Sequence, residues 1–249
     1  MSTALRLFHV SDIHFGVEHH TALRWFEDAV HAERPDAVIC TGDLTQRATH
    51  QQFGQARAFF SSLNTPVALE PGNHDMPYYN LWERFTQPYK RYGALADAVG
   101  AVLEFEQMVI VPLKTTVRAQ PRFPWSDGYV RHEALAETVG VLESLESDHR
   151  YKIVSCHHPL LPAEEGMKNP TIGGDRAFAA VAAAGAQAIL TGHVHVPFDL
   201  VRASDNKSVR MIGAGTLSTR LRGAEPGYNV VIYSPEDGLT VEQRTYRDG

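Results

Sequence analysis

The side chains best suited to chemistry in this chain lie in five short motifs, each of which carries groups able to bind a metal ion. In chain order they are Asp12-Ile13-His14, Gly42-Asp43, Gly72-Asn73-His74-Asp75, His157-His158 and Gly192-His193-Val194-His195. Carboxylate oxygens and imidazole nitrogens suit Mn, Fe, Zn and similar ions, and no thiolate motif competes with them. The set is large enough to hold two metal ions that share one carboxylate.

The spacing within the motifs predicts that paired ligands reach the same side of the chain. Asp12 and His14 are two residues apart, and an extended backbone sends such a pair to one face. The same spacing separates His193 from His195. Asp43 follows a neighbouring strand, and we expect each of its two oxygens to contact one metal. Paired metals about 3.5–4 Å apart can hold a hydroxide that attacks phosphorus in line with the departing alkoxide.

Each motif also has an ordinary structural explanation when it is taken alone. Asp-x-His is short, Gly-Asp is a common turn, and His-His-Pro after a strand could simply begin a loop. The chain contains 13 histidines, so one Gly-His-Val-His could be a coincidence. All five motifs in order, nearly every one at the end of a strand-like segment, favour a single metal site.

The elements that must position the first three motifs alternate between strands and helices. Strands are predicted at Leu5–Val10, at Ala37–Cys40 and at 66–69, and helices at 21–34 and 49–63. Continuous apolar runs and crossovers of about 30 residues are typical of parallel strands in βαβ units. The carboxyl ends of these strands should therefore gather the motifs at one edge of a sheet.

A second set of predicted elements carries the last two motifs. Strands are predicted at 101–105, 108–112, 152–156 and 188–190, and helices at 132–145 and 176–184. From residue 209 onward, three strand-like segments predict an antiparallel run, whereas 93–100 fits a helix or a loop equally well. No linker or repeat divides the chain, so we predict one domain over residues 1–249 with two packed sheets and outer helices.

Composition restricts the class of protein and its partners. Hydrophobic residues make up 43% of the 249 residues, enough for a large core, and the net charge of −6 disfavours nucleic acid as a partner. Cys40 and Cys156 lie in apolar runs and are interpreted as buried free thiols of a reducing compartment. No signal peptide and no apolar stretch of about 20 residues is present, so we expect a cytoplasmic protein without a membrane partner.

The ordered motifs resemble the pattern of the calcineurin-like metallophosphoesterase superfamily, from residue 5 to about residue 219. The resemblance implies an α/β fold, a four-layer αββα sandwich of two mixed sheets flanked by helices, with the site at the sheet edges. It also implies two metal ions, which could be Mn, Fe or Zn. The first ion would be bound by Asp12, His14, Asp43 and His195, and the second by Asp43, Asn73, His157 and His193.

The same resemblance implies that His74 is not a metal ligand. It would contact the phosphate as a general acid or transition-state stabiliser, with Asp75 orienting its ring. Of the two adjacent histidines, His157 is taken as the ligand because it directly follows the predicted strand. His158 would then line the pocket or contact the substrate.

Details of the motifs narrow the resemblance to bacterial class III cyclic-nucleotide phosphodiesterases and related glycerophosphodiesterases. These enzymes share Ser-Asp-x-His, Gly-Asp-Leu-Thr, Pro-Gly-Asn-His-Asp and His-His-Pro, but often have Leu-Asp-Ser where this chain reads Leu113-Lys114-Thr115-Thr116. The implied function is a dinuclear-metal-dependent phosphodiesterase acting on a small phosphodiester, with a cyclic nucleotide as the first expectation. A phosphomonoesterase, a nuclease and a non-catalytic binding scaffold are the alternatives.

Some residues outside the motifs have two interpretations. Trp125, Phe123 and Tyr129 could stack a nucleobase, although packing of their loop onto the sheet is favoured. Arg220 and Arg222 could pair with a phosphate, although surface charges are the commoner case. Homodimer formation is left open.

Overall fold

The computed structural model describes residues 4–101, 103–122, 125–163, 167 and 169–247. In chain order its strands are β1 (Leu5–Val10), β2 (Ala37–Cys40), β3 (Val67–Leu69), β4 (Met108–Pro112), β5 (Gly128–Tyr129), β6 (Tyr151–Ser155), β7 (Thr171–Ile172), β8 (Ala188–Thr191), β9 (Phe198–Ser204), β10 (Lys207–Gly213), β11 (Gly227–Ser234) and β12 (Gly238–Thr245). Its helices are α1 (His20–Glu33), α2 (His50–Ser62), α3 (Leu81–Thr86), α4 (Lys90–Val99), α5 (His132–Ser144) and α6 (Gly174–Ala183), and a short 3₁₀ turn covers Asn73–Asp75.

Ten of these strands form two five-stranded mixed sheets, and β5 pairs with β7 in a separate two-stranded sheet. The first has the order β12-β11-β1-β2-β3, in which β1, β2 and β3 are parallel and β11 is antiparallel to both β1 and β12. The second has the order β4-β6-β8-β10-β9, in which only β9 is antiparallel to its neighbour. Each sheet therefore contains a parallel block whose carboxyl ends point the same way.

Alternation along the strands builds the layers. In β1, Phe8 packs outward with α1 and α2, while Leu7 packs inward between the sheets. In β8, Leu190 joins the same inner layer, while Ile189 packs outward with α5 and α6. The predicted four-layer αββα sandwich is thereby confirmed.

Three sequence predictions differ from the structure. Within the described residues, 101 and 103–105 are not a strand: Leu103 and Phe105 pack partly buried against the inner layer without pairing. The edge strand β9 was missed, although the alternating burial of its residues is typical of a half-buried strand. The C-terminal strands do not form one antiparallel run: β10 lies parallel to β8 in the second sheet, whereas β11 and β12 complete the first.

Other features agree with the sequence or resolve what it left open. The segment 93–100 is largely helical, since α4 extends to Val99. Cys40 and Cys156 are both buried free thiols, as predicted. Within the described part of the chain, no helix combines the length and the apolar character needed to cross a bilayer.

Candidate metal centre

All five motifs lie at the carboxyl ends of parallel strands, where the edges of the two sheets meet. The backbone N–H of His193, after β8, donates to Oδ2 of Asp12, after β1, at 2.7 Å. Across the same boundary, the ring Nδ1 of His157, after β6, donates to the carbonyl of Thr41, after β2, at 2.7 Å. Predicted ligands from both sheets therefore converge on one point.

Five of the seven predicted ligands have a left-handed backbone. Their φ values are 56° at Asp12, 52° at His14, 52° at Asp43, 70° at His193 and 63° at His195. The expectation that an extended backbone aligns the two-residue pairs is thus wrong, although the paired side chains still converge. Such a conformation costs of order 1–3 kcal/mol per non-glycine residue and persists where the surrounding structure enforces it.

The first group contains Asp12, His14 and His195, all buried. Oδ1 of Asp12 lies 3.0 Å from Nε2 of His195 and 3.5 Å from Nε2 of His14. Among the described residues, this buried oxygen has no hydrogen-bond partner. An unpaired buried carboxylate oxygen facing two imidazole nitrogens fits a cation, because the cation would satisfy all three atoms.

Asp43 lies between the first group and the second. Its Oδ2 is 3.4 Å from Nε2 of His157 and 3.7 Å from Nε2 of His14, and its Oδ1 accepts the backbone N–H of His74 at 2.8 Å. One oxygen therefore faces both groups, in contrast to the expected one oxygen per metal. Oδ1 of Asn73 lies 3.3 Å from Nε2 of His157 on the second side.

His193 completes the second group beside the two adjacent histidines. Its ring lies 5.3 Å from that of His157 and 4.5 Å from that of His158. His158 uses both of its ring nitrogens elsewhere, with Nδ1 2.9 Å from Oγ1 of Thr115 and Nε2 donating to the carbonyl of Ser126 at 2.9 Å. His157, with Nε2 directed at the centre, is therefore the better ligand of the pair.

His74 is held with one ring nitrogen facing the centre. Its Nδ1 donates to the carbonyl of Gln46 at 2.8 Å, and its ring meets that of His14 edge-on at 4.8 Å. Because Nδ1 is occupied, Nε2 is the nitrogen that faces the ligand groups. This orienting carbonyl belongs to the backbone, so no side-chain pattern in the sequence could have revealed it.

The Asp75 side chain does not hydrogen-bond to the ring of His74, so the prediction that Asp75 orients this ring is wrong. Its carboxylate accepts the backbone N–H groups of Leu44 at 3.1 Å, Thr45 at 2.8 Å and Gly72 at 2.9 Å. These bonds connect the loop after β2 to the loop after β3. Asp75 thus fixes the positions of the two loops that carry the central ligands.

Burial and charge oppose each other in the centre. Burial alone would lower the pKa of His157, but the Asp43 carboxylate outweighs it and raises this pKa to about 9. Burial lowers the pKa of His193 to about 3, assisted by the charge on His157. The pKa of His74 is also lowered, chiefly by burial, against the pull of Asp43. At neutral pH, His193 and His74 are therefore neutral, whereas His157 keeps its proton beside Asp43 and must release it before it can bind a cation.

Arg220 enters the centre, whereas the sequence favoured a surface position. Its half-buried guanidinium has Nη1 3.1 Å from Nε2 of His74 and 3.3 Å from Nε2 of His14. Its backbone carbonyl accepts Nδ1–H of His195 at 2.6 Å. No local pattern in the sequence reveals this position, because it follows from the parallel pairing of β10 with β8, which sends the next loop to the same sheet edge. Arg222 is exposed, although its charge still acts on His193.

The three aromatic candidates separate in the structure. Trp125 lines a cavity that also contains His74 and Asn73. Tyr129 lies in β5 and faces a different cavity, next to Arg131. Phe123 lies outside the described residues.

Comparison with known proteins finds a matching family model and relatives of similar sequence. The family model described as calcineurin-like phosphoesterase matches residues 5–197. The chain is 34% identical over 80 residues to the glycerophosphodiester phosphodiesterase GpdQ of Enterobacter lignolyticus, covering 28% of this chain and 29% of that protein. It is 28% identical over 163 residues to the 3',5'-cyclic adenosine monophosphate phosphodiesterase CpdA of Haemophilus influenzae, covering 64% and 54%. The chain thus matches about half or less of the length of either relative.

Solved structures share the fold at low sequence identity. A purple acid phosphatase from yellow lupin superposes with a TM-score of 0.73 and 14% identity, over 98% of this chain and 52% of that one. A dimetal phosphatase from Danio rerio superposes with a TM-score of 0.62 and 10% identity, over 98% of this chain and 99% of that one. At these identities the likeness shows the fold alone.

Proposed function

We propose that this chain, which belongs to the calcineurin-like phosphoesterase family, is a phosphodiesterase using two metal ions. Its substrate is a small phosphodiester, and a cyclic nucleotide is the first candidate. The observation that carries the proposal is the position of Asp43, whose Oδ2 lies within 3.7 Å of an imidazole nitrogen on each side. The two curated relatives, both phosphodiesterases by name, support a diester.

The residues of the centre suit two ions. One ion would be held by Asp12, His14, Asp43 and His195, and the other by Asp43, Asn73, His157 and His193. Oxygen and nitrogen donors of this kind serve Mn, Fe and Zn alike. When bound, the ions supply water activation at neutral pH and positive charge opposite the phosphoryl oxygens.

The chain's own side chains orient and assist the reaction. His74 faces the centre through Nε2, and when the ring takes up a second proton this nitrogen donates it to the departing oxygen or stabilises charge that develops there. Asp75 keeps this geometry by holding the loops that carry Asp43 and Asn73. Arg220 adds a donor within 3.4 Å of both His14 and His74 and binds a phosphoryl oxygen.

A direct assay tests the proposal. Purified protein with Mn²⁺ should hydrolyse bis(p-nitrophenyl) phosphate, and Asp43→Ala or His74→Ala should lower kcat/KM by at least about 100-fold, because a metal ligand or a donor to the leaving oxygen is lost. Arg222→Ala, a change at an exposed residue, is the control and should keep nearly full activity. Wild-type protein that binds two Mn²⁺ ions and turns over neither diester nor monoester would contradict the enzyme function.

A phosphomonoesterase is the second candidate, and Arg220 is the observation that favours it. A monoester carries more negative charge than a diester, and this guanidinium adds a positive charge beside two of the ligands. The same preparation assayed with p-nitrophenyl phosphate decides between the two. A kcat/KM for the monoester above that for the diester would select the phosphomonoesterase.

A further inference from the structure

A cavity of about 470 Å³ opens beside His74. Asn73, His74 and Gln46 line the part next to the metal centre, and Tyr78, Leu81 and Trp125 line the part farther from it. The volume lies within the range of small-molecule sites, which combine apolar walls with a few placed polar groups. The cavity is continuous with the centre because the same His74 borders both.

The outer part of the cavity presents aromatic surface to solvent. Tyr78 is 54% exposed and Trp125 is 40% exposed, far more than the packed aromatic residues of the core. Arg47 lies over the Tyr78 ring, with its guanidinium carbon 4.1 Å from the ring centroid, which restricts the ring. Exposed flat rings beside a polar centre are typical of a surface that stacks a planar ligand.

The charge of the lining suits an anionic substrate. Among the lining residues that the structure describes, none is acidic, and the guanidinium of Arg84 lies 5.9 Å from the Trp125 ring centroid. Arg84 is itself fixed, since its Nε donates to the carbonyl of Arg118 at 2.8 Å. Gln46 and Ser126 add polar groups to the wall, where both backbone carbonyls and Oε1 of Gln46 already accept hydrogen bonds.

The orientation of His74 decides which half of the substrate enters the cavity. The carbonyl of Gln46 holds Nδ1, which leaves Nε2 as the ring nitrogen available to the oxygen that leaves phosphorus in the proposed reaction. Gln46 and His74 also form the inner wall of the cavity. An alcohol that departs next to His74 must therefore extend along this wall towards Trp125.

We propose that the cavity beside His74 is a subsite for the leaving alcohol, and that this alcohol is a nucleoside whose base stacks on Trp125 and Tyr78. The inference rests on the proposed phosphodiesterase function. In the reaction, the oxygen of water forms the new bond to phosphorus, the bond from phosphorus to the nucleoside oxygen breaks, and a proton passes to that oxygen.

Two matched diesters test the subsite. The methyl diester of adenosine 5'-phosphate and the methyl diester of glycerol 3-phosphate differ only in the alcohol that the cavity would hold. With Mn²⁺, the wild-type protein should show at least a tenfold higher kcat/KM for the adenosine diester. The products should be adenosine and methyl phosphate, with little methanol or adenosine 5'-phosphate.

Variants at the aromatic wall separate stacking from general damage. Trp125→Ala should lower the adenosine-over-glycerol ratio of kcat/KM about tenfold, mainly through KM, while Trp125→Phe should keep most of the preference because it retains a flat ring. Trp82→Ala is the matched control, since that side chain is 80% exposed and borders a different cavity. Tyr78→Ala provides a second probe of the wall if Trp125→Ala does not fold.

Binding of adenosine to the protein, measured by equilibrium dialysis, keeps the two proposals distinguishable. Equal hydrolysis of both diesters, or release of methanol from the adenosine diester, would overturn the nucleoside subsite and leave the phosphodiesterase intact. Loss of adenosine binding in Trp125→Ala but not in Trp82→Ala would support the subsite. If that dependence were found while neither diester was hydrolysed, the subsite would stand and the proposed reaction would fail.

Discussion

Arg220 places its guanidinium between two side chains to which we assign different roles. It contacts His14, a proposed metal ligand, at 3.3 Å and His74, the proposed donor to the leaving group, at 3.1 Å. A donor at that point can reach a phosphoryl oxygen that the ligands themselves cannot bind. We therefore assign Arg220 to phosphate recognition.

Replacement of Arg220 tests this assignment without relying on turnover alone. Arg220→Ala should raise the Ki of inorganic phosphate about 10- to 100-fold, because a hydrogen bond between two charged groups is worth about 1.5–3 kcal/mol. Arg220→Lys keeps the charge but not the fork of donors and should recover part of the loss. Arg222→Ala should change the Ki less than about twofold. Equal Ki values in Arg220→Ala and Arg222→Ala would remove Arg220 from the site.

The sequence allowed the candidate metal ligands to be predicted, but not the groups that orient the side chains around them. Asp12, His14 and Asp43 could be selected because their types and spacing carry a chemical pattern. The carbonyl that holds His74 and the backbone N–H groups bound by Asp75 have no such pattern, since every residue has them. Contacts to the backbone depend on how loops approach each other, and that approach is a property of the folded chain.

At the scale of elements, the dependence on long-range contacts also explains why the pairing of the C-terminal strands was predicted wrongly. The sequence predicted strands from residue 209 onward correctly in kind but gave them one antiparallel arrangement. In the structure, β10 pairs in parallel with β8, and its loop continues to the metal centre. Strand partners depend on long-range packing, whereas the local pattern of apolar residues reports only that a strand exists.

Gly72 lies where the loops after β2 and β3 approach each other closely. A Cβ at this position would lie 2.1 Å from both the backbone nitrogen and Oδ1 of Asp43. Gly72→Ala should therefore push the two loops apart, with a cost of about 1–3 kcal/mol and a Tm lower by roughly 2–10 °C in the ion-free protein. The rise in Tm on adding Mn²⁺ should also shrink, because the displaced loops would strain the hydrogen bond from the backbone N–H of His74 to Oδ1 of Asp43.

The matched control for Gly72→Ala is Gly140→Ala. A Cβ at Gly140 in α5 meets nothing within 4 Å, and alanine favours a helix by about 1 kcal/mol over glycine. Gly140→Ala should keep or raise Tm and leave the response to Mn²⁺ unchanged. A similar Tm and Mn²⁺ response in both variants would show that the close approach at Gly72 is unimportant.

At the scale of the whole molecule, Glu70 connects the two sheets. It follows β3 and its Oε1 accepts the hydroxyl of Ser155, at the end of β6, at 2.5 Å. Burial raises the pKa of Glu70 to about 7, although the Ser155 hydroxyl and Lys114 oppose the rise. The contact between the sheets therefore includes a carboxyl group that resists ionisation.

This contact gives the free energy of unfolding a defined pH dependence. Between about pH 4.5 and pH 7 the unfolded chain releases the Glu70 proton while the folded chain keeps it, so stability falls as pH rises through this window. Glu70→Gln keeps the hydrogen bond without the charge and should stabilise the protein at pH 8 by roughly 1–3 kcal/mol. The gain should nearly vanish at pH 4.

Thermal unfolding at the two pH values, with metal removed by a chelator, measures the effect. Glu106→Gln changes an exposed glutamate and serves as the control, with an expected change in Tm below about 1 °C at either pH. A Tm difference between Glu70→Gln and the wild type that is the same at pH 4 and pH 8 would exclude Glu70 as the source of the dependence.

The meeting of the two sheets at one edge also has a consequence for the order of events during synthesis. Under the proposed assignment each ion draws ligands from both sheets, and the last of them, His193 and His195, follow β8. A ribosome-bound chain that ends before residue 193 has several donors but neither complete set of ligands. Ion capture should therefore occur late in translation, which limits the time in which a half-made chain can retain the wrong ion.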